Sequence, residues 1–209
     1  MDIYLSSAYL APVQYYTKIY SDNNIIIEQH DNYQKQTYRN RCVIISANGP
    51  IPLSIPVIHS SSEKIAMKDI RIADHDKWQH MHWNAIVSAY NSSPFFEYYQ
   101  DDFHPFFHKK YDFLFDFNTQ LQELIINLLQ NDSSRISYTQ EYNPDIKQGD
   151  DLRDLIHPKK GRETDPRFIP ASYYQVFQHK LGFIENMSII DLLFNMGNES
   201  ILVLSDSIR

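Results

Sequence analysis

The sequence predicts an α/β fold, in which an N-terminal mixed or parallel sheet with flanking helices is followed by a mainly helical C-terminal part. Ile3–Leu5 reads as a short strand and precedes an amphipathic helical segment. Ile25–Ile27 is continuously apolar, which is typical of a parallel strand covered on both faces. From Asp76 onward the apolar residues recur with a helical period. We therefore expect a sheet-forming half (residues 1–75) and a helix-rich half (residues 76–209) in one compact unit.

The first half contains a predicted helix and a predicted hairpin. A helix is expected over residues 11–20, because Pro12 suits a first helical turn and apolar residues follow at helical spacing. Arg41–Ser46 and Ile51–Val57 are strand-like and flank the turn signal Asn48-Gly49-Pro50. These two strands are predicted to pair as a β-hairpin.

The second half is predicted to be helical apart from one loop. Helical spacing begins at Trp78, and a second helix is expected to start with Ser93 as its N-cap. Asn118 is expected to cap a third helix, whose apolar stripe is the strongest in the chain. Residues 143–170 have no periodicity and predict a long loop. The last two helices are expected at about residues 171–180 and at residues 189–196.

Composition excludes several classes of function. The 5 glycines are too widely spaced for a GxGxxG turn or a phosphate-binding P-loop. The single Cys42 excludes an internal disulfide and a CxxC metal or redox site. A net charge of −7 argues against a general nucleic-acid-binding protein. The N-terminus lacks a signal-peptide pattern and no apolar run reaches the roughly 18–20 residues of a membrane span, so we expect a cytoplasmic protein.

A polar segment directly follows the second predicted strand. Parallel sheets bind ligands beyond the carboxyl ends of their strands, so this position favours a binding site. Three cations within a few residues suit a phosphate or carboxylate, and arginine gives bidentate geometry. An ordinary solvated loop explains the same composition and stays open as the alternative. The candidate substrate-binding or anion-binding residues are Asp31, Tyr33, Lys35, Arg39, Asn40 and Arg41.

Three histidines lie close together in sequence, beside Trp78 and Trp83. Histidine titrates near roughly pH 6.5 and is the most common general base. The candidate catalytic residues are therefore His75, His80 and His82. Packing of these side chains is the alternative. Because His80 and His82 would face different sides of a helix, no metal site is predicted here.

Three smaller features allow functional and structural interpretations. His104 and His108 have the spacing of two metal ligands on a helix, but the neighbouring phenylalanines favour an aromatic helix face. Residues 157–162 carry three cations and a glycine, compatible with an anion-binding flap or with a solvated basic turn. Cys42 is best interpreted as a small buried hydrophobe.

Taken together, these segments resemble the WbqC-like protein family. The resemblance covers nearly the whole chain, and its middle patterns are the most specific. The matching segments are Ala8–Pro12 with Tyr15 and Tyr16, Asp31–Cys42, Asn48–Pro50, Ile55–Val57, Lys68–Ile72, Trp78 with His82, Ala89–Tyr90, Ser93–Phe96, Phe183–Ile184 and Ser188–Phe194.

The resemblance implies a protein of bacterial O-antigen or polysaccharide gene clusters, for which a glycine or aminoacyl transferase role has been suggested. Many members carry Gln-Pro where this chain has Ser6-Ser7. On this interpretation the substrate is a sugar or sugar nucleotide, a histidine named above is the base, and Lys35, Arg39 and Arg41 hold a phosphate or carboxylate. The alternative is a non-catalytic binding or assembly protein of envelope biosynthesis, with the aromatic helices and the long loop as its partner surface. The sequence identifies no cofactor.

Overall fold

A computed structural model describes residues 1–21, 23–58, 64–75, 77–131, 133–159 and 165–209 of the chain. Strands and helices alternate at the N-terminus, and helices dominate after residue 77. The described strands and helices are, in chain order, β1 (Asp2–Ser6), α1 (Val13–Tyr20), β2 (Asn24–Glu28), β3 (Arg41–Ser46), β4 (Gly49–Ser54), β5 (Val57–Ile58), β6 (Arg71–Ile72), α2 (Trp78–Tyr90), α3 (Phe96–Phe103), α4 (Leu114–Leu128), β7 (Ile136–Tyr138), β8 (Asp150–Asp151), α5 (Gln178–Leu181), α6 (Ile189–Met196) and α7 (Ser200–Asp206).

The central sheet has the strand order β7-β2-β1-β8, and every neighbouring pair is parallel. Ile3 of β1 lies opposite Ile25 of β2, and both side chains are buried. The predicted α/β class and parallel sheet are therefore confirmed. The sheet draws on both predicted halves, since β7 and β8 follow residue 130. Strands of three and two residues give no usable period in a sequence, and β8 lies inside the predicted loop.

The predicted hairpin is confirmed as β3 paired with β4, with Arg41 opposite Ser54 and Ser46 opposite Gly49. Gly49 has φ +108°, a conformation that side-chain-bearing residues rarely adopt, and it makes this tight connection possible. Helix α1 begins two residues later than expected, at Val13, whose backbone N–H donates to Met187 O.

Two helix starts in the second half differ from the prediction. Helix α3 begins at Phe96, because the Ser93 hydroxyl donates to Tyr90 O in the preceding turn instead of capping α3. Asn118 lies inside α4, which begins at Leu114, and its side chain contacts residues outside the helix. The prediction that Asn118 caps this helix is therefore wrong, because its side chain bonds to residues of other segments.

The helices of the C-terminal segment differ from the prediction, and α7 was not predicted. Of the helix expected at about 171–180 only α5 is present, because the Gln175 side chain binds the backbone N–H and C=O of Ile184. Helix α6 is confirmed at 189–196. Ser188 precedes this helix without a side-chain cap, since its hydroxyl donates to Leu10 O.

Aromatic rings fill the core between the helices. Tyr90, Phe96 and Phe103 each meet Phe194 edge-on, with ring centroids 5.2–5.4 Å apart. Cys42 is fully buried, and burial raises the pKa of its thiol, so its interpretation as a small buried hydrophobe is confirmed. Among the described helices, none combines the length and apolar character that crossing a bilayer requires.

A buried carboxylate fastens the C-terminal segment to α6. Asp191 Oδ2 accepts hydrogen bonds from Tyr173 Oη at 2.7 Å and from Gln175 Nε2 at 2.9 Å. Burial raises the pKa of Asp191 from 3.8 to about 6, although these donors partly offset the rise. Because the pKa is raised in the folded protein, the stability contribution of this group is fully present below the unfolded pKa and is lost as the pH rises through about 6.

We expect Asp191→Asn to remove this pH dependence. The amide oxygen still accepts from Tyr173 and Gln175, but it does not titrate. Between pH 4 and pH 7 the wild-type protein should lose about 2 kcal/mol of unfolding free energy that the variant keeps. Urea unfolding of both proteins at the two pH values measures the difference, with the exposed Asp206→Asn as control. An identical pH dependence for wild type and Asp191→Asn would contradict the assignment.

Candidate functional site

Polar side chains cluster where the four parallel strands end. Ser6 closes β1, Glu28 closes β2, Thr139 follows β7 and Arg153 follows β8. Since all four strands run in the same direction, these residues reach one edge of the sheet. This carboxyl edge is where α/β sheets commonly hold ligands.

Glu28 and Arg153 form the first of two buried networks at the carboxyl edge. Glu28 has no exposed surface, and its Oε2 accepts from Arg153 NH1 at 3.0 Å. Glu28 Oε1 accepts from the Thr139 hydroxyl at 2.7 Å and from the backbone N–H of His30 at 2.8 Å. Arg153 also binds both carboxylate oxygens of Asp151. The network joins the ends of β2, β7 and β8, and its groups satisfy one another.

Asp31, Arg39 and Asn118 form the second network, beside the first. Arg39 NH2 donates to Asp31 Oδ2, and both side chains are buried. Asn118 Nδ2 donates to Arg39 O at 2.8 Å and to the Ser7 hydroxyl oxygen at 3.1 Å. Asp154, a largely exposed carboxylate, lies 3.7 Å from Arg39 NH2. Helix α4 thus reaches across to the loop after β1 and to the loop after β2.

The second network is incompletely satisfied. Asp31 Oδ1, Arg39 Nε and Asn118 Oδ1 are buried and have no hydrogen-bond partner among the described residues. Buried polar atoms normally have partners, and an unmet one costs about 1–3 kcal/mol. Asp31 and Arg39 form an ion pair and Asn118 bonds to the Arg39 backbone, so these three unmet atoms make the network a candidate site for a polar ligand.

A narrow cleft runs along the same edge. It is lined by Ser6 and Ser7 after β1, by Thr37–Arg39 and by Leu152, Arg153 and Ile156. Its free volume of about 10 Å³ corresponds to about one water molecule. A larger ligand therefore needs the two loops that form its walls to separate.

Polar contacts hold those two loops together over the cleft. Gln34 Nε2 donates to Asp154 Oδ1 at 3.3 Å, and Lys159 Nζ donates to Gln36 Oε1. The basic segment predicted as a flap, residues 157–162, therefore starts at the mouth of the cleft. Its residues Lys160, Gly161 and Arg162 lie outside the described residues.

Negative charge predominates in the two networks. Four carboxylates, those of Glu28, Asp31, Asp151 and Asp154, meet the two guanidinium groups of Arg39 and Arg153. Burial raises the pKa of Asp31, and the nearby Arg39 charge offsets the rise only in part. The charge of each arginine is already matched by carboxylates, so the cleft favours a ligand that donates hydrogen bonds or carries positive charge.

The remaining predicted binding residues occupy different environments. Tyr33 is buried near Arg39 and Arg41, and burial raises its pKa to about 12. Lys35 is exposed, between the two glutamines that contact the opposite loop. Asn40 Nδ2 donates to Ile55 O at 2.8 Å. The Arg41 guanidinium donates to the Ser54 hydroxyl at 3.1 Å on the hairpin. Of the six predicted binding residues, the structure brings Asp31 and Arg39 into direct contact with each other.

The three candidate catalytic histidines do not share one environment. His75 and His80 are exposed, and His80 Nε2 is hydrogen-bonded to Asn84 at 2.9 Å. His82 is buried, its Nδ1 is hydrogen-bonded to Tyr9 Oη at 2.9 Å, and it meets Trp78 edge-on. Burial lowers the pKa of His82 to about 4, so its ring is neutral at pH 7. The catalytic role of these histidines stays a prediction.

Sequence reasoning missed three residues of the site. Glu28 ends an apolar strand and was not distinguished from a solvated strand end. Arg153 lies in the predicted loop, and Asn118 was assigned to a helix cap. A residue of charged type immediately after a buried strand was the available signal for Glu28. For Arg153 the sequence gives no clear signal. Its partners Ser6 and Glu28 are more than 100 residues away, and its nearer partners Asp151, Asn143 and Tyr142 form no recognisable motif.

The predicted pair His104 and His108 forms part of an aromatic surface. Their rings stack with centroids 3.8 Å apart, and Trp83 meets His104 edge-on at 5.3 Å. Parallel stacked rings direct their nitrogens sideways and not toward a shared point. The arrangement fits the aromatic helix face that the sequence favoured.

Fold and site together define an α/β protein with a narrow cleft and two buried charged networks at the carboxyl edge of a parallel sheet. The chain belongs to the WbqC-like protein family, whose sequence profile matches residues 7–203, and the resemblance inferred from the sequence is confirmed. Comparison with curated proteins and with solved structures finds no match.

Proposed function

We propose that the protein is a transferase that attaches an aminoacyl group, such as glycine, to the amino group of a sugar or sugar nucleotide in O-antigen or polysaccharide biosynthesis. The observation that carries the proposal is the pair of unmet acceptors, Asp31 Oδ1 and Asn118 Oδ1. A primary ammonium group offers three donors and one positive charge. Its N–H groups can donate hydrogen bonds to these two oxygens, and its positive charge offsets the excess of carboxylates. The polysaccharide setting is supported by the family resemblance.

The chemistry follows from the placement of Asp31 and Ser7. The bound ammonium gives one proton to Asp31 and becomes a nucleophilic amine. Its nitrogen forms a bond to the carbonyl carbon of an activated acyl donor, and the bond from that carbon to the leaving group breaks. The leaving group departs with the electron pair and takes the second nitrogen proton. Ser7 accepts from Asn118, so its own hydroxyl proton can stabilise the developing oxyanion.

Asp31 is the base in this proposal because its carboxylate is paired with Arg39, which lines the cleft, whereas His82 is buried and hydrogen-bonded to Tyr9. A phosphate leaving group would meet the cations at the mouth of the cleft. Lys35 and Lys159 are in that position, on the two loops that contact each other. This placement retains the predicted anion-binding role for Lys35, while Arg39 orients Asp31.

Isothermal titration with UDP-glucosamine and UDP-N-acetylglucosamine tests the proposal. The two probes differ only in whether the amine is free. We expect UDP-glucosamine to bind at least about tenfold more tightly at pH 7, a difference of about 1.4 kcal/mol. Equal affinity for the two probes would show that the protein recognises the nucleotide and not the free amine. Absence of binding by both probes would reject the transferase proposal for sugar nucleotides.

A partner-binding protein is the second candidate, and one surface favours it. Phe95, Tyr98, Tyr99 and Met196 line an apolar groove of about 370 Å³, and Tyr98 is 76% exposed. Exposed aromatic side chains in a groove are typical of protein contact surfaces. Two results together would favour partner binding over the transferase proposal. Neither sugar nucleotide would bind, and Tyr98→Ser would abolish a protein complex that the wild-type protein forms.

A further inference from the structure

A second cleft lies between α4 and β7, and none of its described lining residues belongs to the two charged networks. Its volume is about 330 Å³, at the small end of the range for small-molecule sites, which is about 300–1,000 Å³. Ile126 and Ile136 supply its apolar wall. The polar lining residues are Thr119, Gln122, Glu123, Asn127, Ser133 and Tyr138.

The polar groups of this cleft are donors and acceptors with little charge. Among the described lining residues, Glu123 alone is charged, and its negative charge disfavours phosphate and carboxylate ligands. Two amides and three hydroxyls offer both donors and acceptors. Such a set matches the alternating donor and acceptor character of hydroxyl groups on a neutral ligand.

Gln122 provides the independent indication of a ligand. Its side chain is more than nine-tenths buried, lines the cleft, and its Nε2 has no hydrogen-bond partner of good geometry among the described residues. Gln122 lies beside the Tyr15 hydroxyl, which donates to Ser6 O at 3.0 Å, but Gln122 Nε2 makes no hydrogen bond of ordinary geometry to the hydroxyl oxygen. A buried amide without an acceptor is costly, and a ligand hydroxyl would satisfy it.

Tyr138 supplies a fixed aromatic surface in the same cleft. Its ring is half-buried and meets Phe115 edge-on, with centroids 5.8 Å apart at 71°. An aromatic ring with one covered edge keeps its orientation and presents an apolar face to a ligand. The C–H face of a pyranose ring is apolar, while its rim carries the hydroxyl groups.

We propose that the cleft between α4 and β7 binds a neutral pyranose. The ring rests on Tyr138 and the isoleucines, and its hydroxyl groups bond to Gln122, Asn127 and Glu123. The site is separate from the amine-binding cleft and does not depend on the proposed transfer reaction. Tyr15 lies between the two, since it lines the first cleft and adjoins Gln122 of the second.

Titration of methyl glucoside, methyl galactoside and methyl mannoside, followed by ¹⁵N NMR, tests this site. At least one glycoside should saturate and shift the amide signals of residues 119–127 and 136–138. Gln122→Leu and Asn127→Ala should each weaken that binding at least tenfold. Gln120→Ala, an exposed amide on the same helix, should leave it unchanged.

Leucine is close in size to glutamine and removes an unmet donor, so Gln122→Leu is expected to fold. Inorganic phosphate is titrated in parallel. Saturable phosphate binding at these residues without glycoside binding would overturn the neutral-ligand assignment. Shifts that map elsewhere, or affinities unchanged in both variants, would overturn the site itself.

Discussion

Replacing Arg39 by methionine is expected to lower the free energy of unfolding by about 3–5 kcal/mol at pH 7. Methionine keeps most of the side-chain volume but leaves the Asp31 carboxylate buried without its cation. Arg153, the guanidinium of the adjoining network, is already bound to Glu28 and Asp151. The loss should become smaller at low pH, because the unpaired carboxyl then takes up a proton. Urea unfolding at pH 7 and pH 4 measures both effects.

Two further variants distinguish the stability lost with the ion pair from the stability lost by altered packing. The double variant Arg39→Met with Asp31→Leu removes both charges and should recover most of the lost stability, because a buried pair replaced by apolar groups is often neutral. Arg71→Met changes an exposed arginine that lies over the Phe113 ring, and should cost less than about 1 kcal/mol. A double variant as unstable as Arg39→Met would contradict the role of the unpaired carboxylate.

Asp31→Asn is expected to weaken binding of UDP-glucosamine at least about 30-fold, equivalent to about 2 kcal/mol, because truncating one partner of a buried charge pair has costs of this size. Affinity for UDP-N-acetylglucosamine should change little. The selectivity for the free amine is therefore the quantity to compare, by isothermal titration of both probes. Asp206→Asn, on an exposed turn of α7, serves as the matched control.

The pH dependence of amine binding by the wild-type protein is a second test of the role of Asp31. Burial raises the pKa of this carboxyl, so its negative charge is lost at a higher pH than that of an exposed aspartate. Affinity for the amine should fall as the pH falls through that pKa, and Asp31→Asn should bind weakly at every pH. Near-ultraviolet circular dichroism verifies that the variant is folded. Ser7→Ala should retain the amine selectivity and slow only the transfer step, which distinguishes the two residues.

The fold was predictable where a pattern is long enough to repeat. The run Ile25–Ile27 indicated a parallel strand, and Asn48-Gly49-Pro50 indicated the hairpin turn. Strands β7 and β8 were not predictable, because three and two residues carry no period. Their positions are set by pairing with β2 and β1, which are far away in sequence.

The candidate site was predictable in part. The rule that ligands bind beyond strand ends selected the segment containing Asp31 and Arg39, which the structure joins in a buried pair. It did not reveal that Arg39 is neutralised, because the sequence does not show which cations are paired. Asn118 was assigned to a helix start, since a polar residue before an apolar stripe resembles a cap even where its partner is in another loop.

The proposed transfer reaction requires the amine of a bound ligand to lie beside Asp31 and Asn118. A crystal structure of the protein with UDP-glucosamine locates that nitrogen. We predict that it lies within about 3.2 Å of Asp31 Oδ1 and of Asn118 Oδ1, with the two loops over the cleft separated. A complex in which the phosphates contact Arg39 while the amine faces solvent, or in which the ligand lies away from the carboxyl edge, would contradict the proposed amine-binding site.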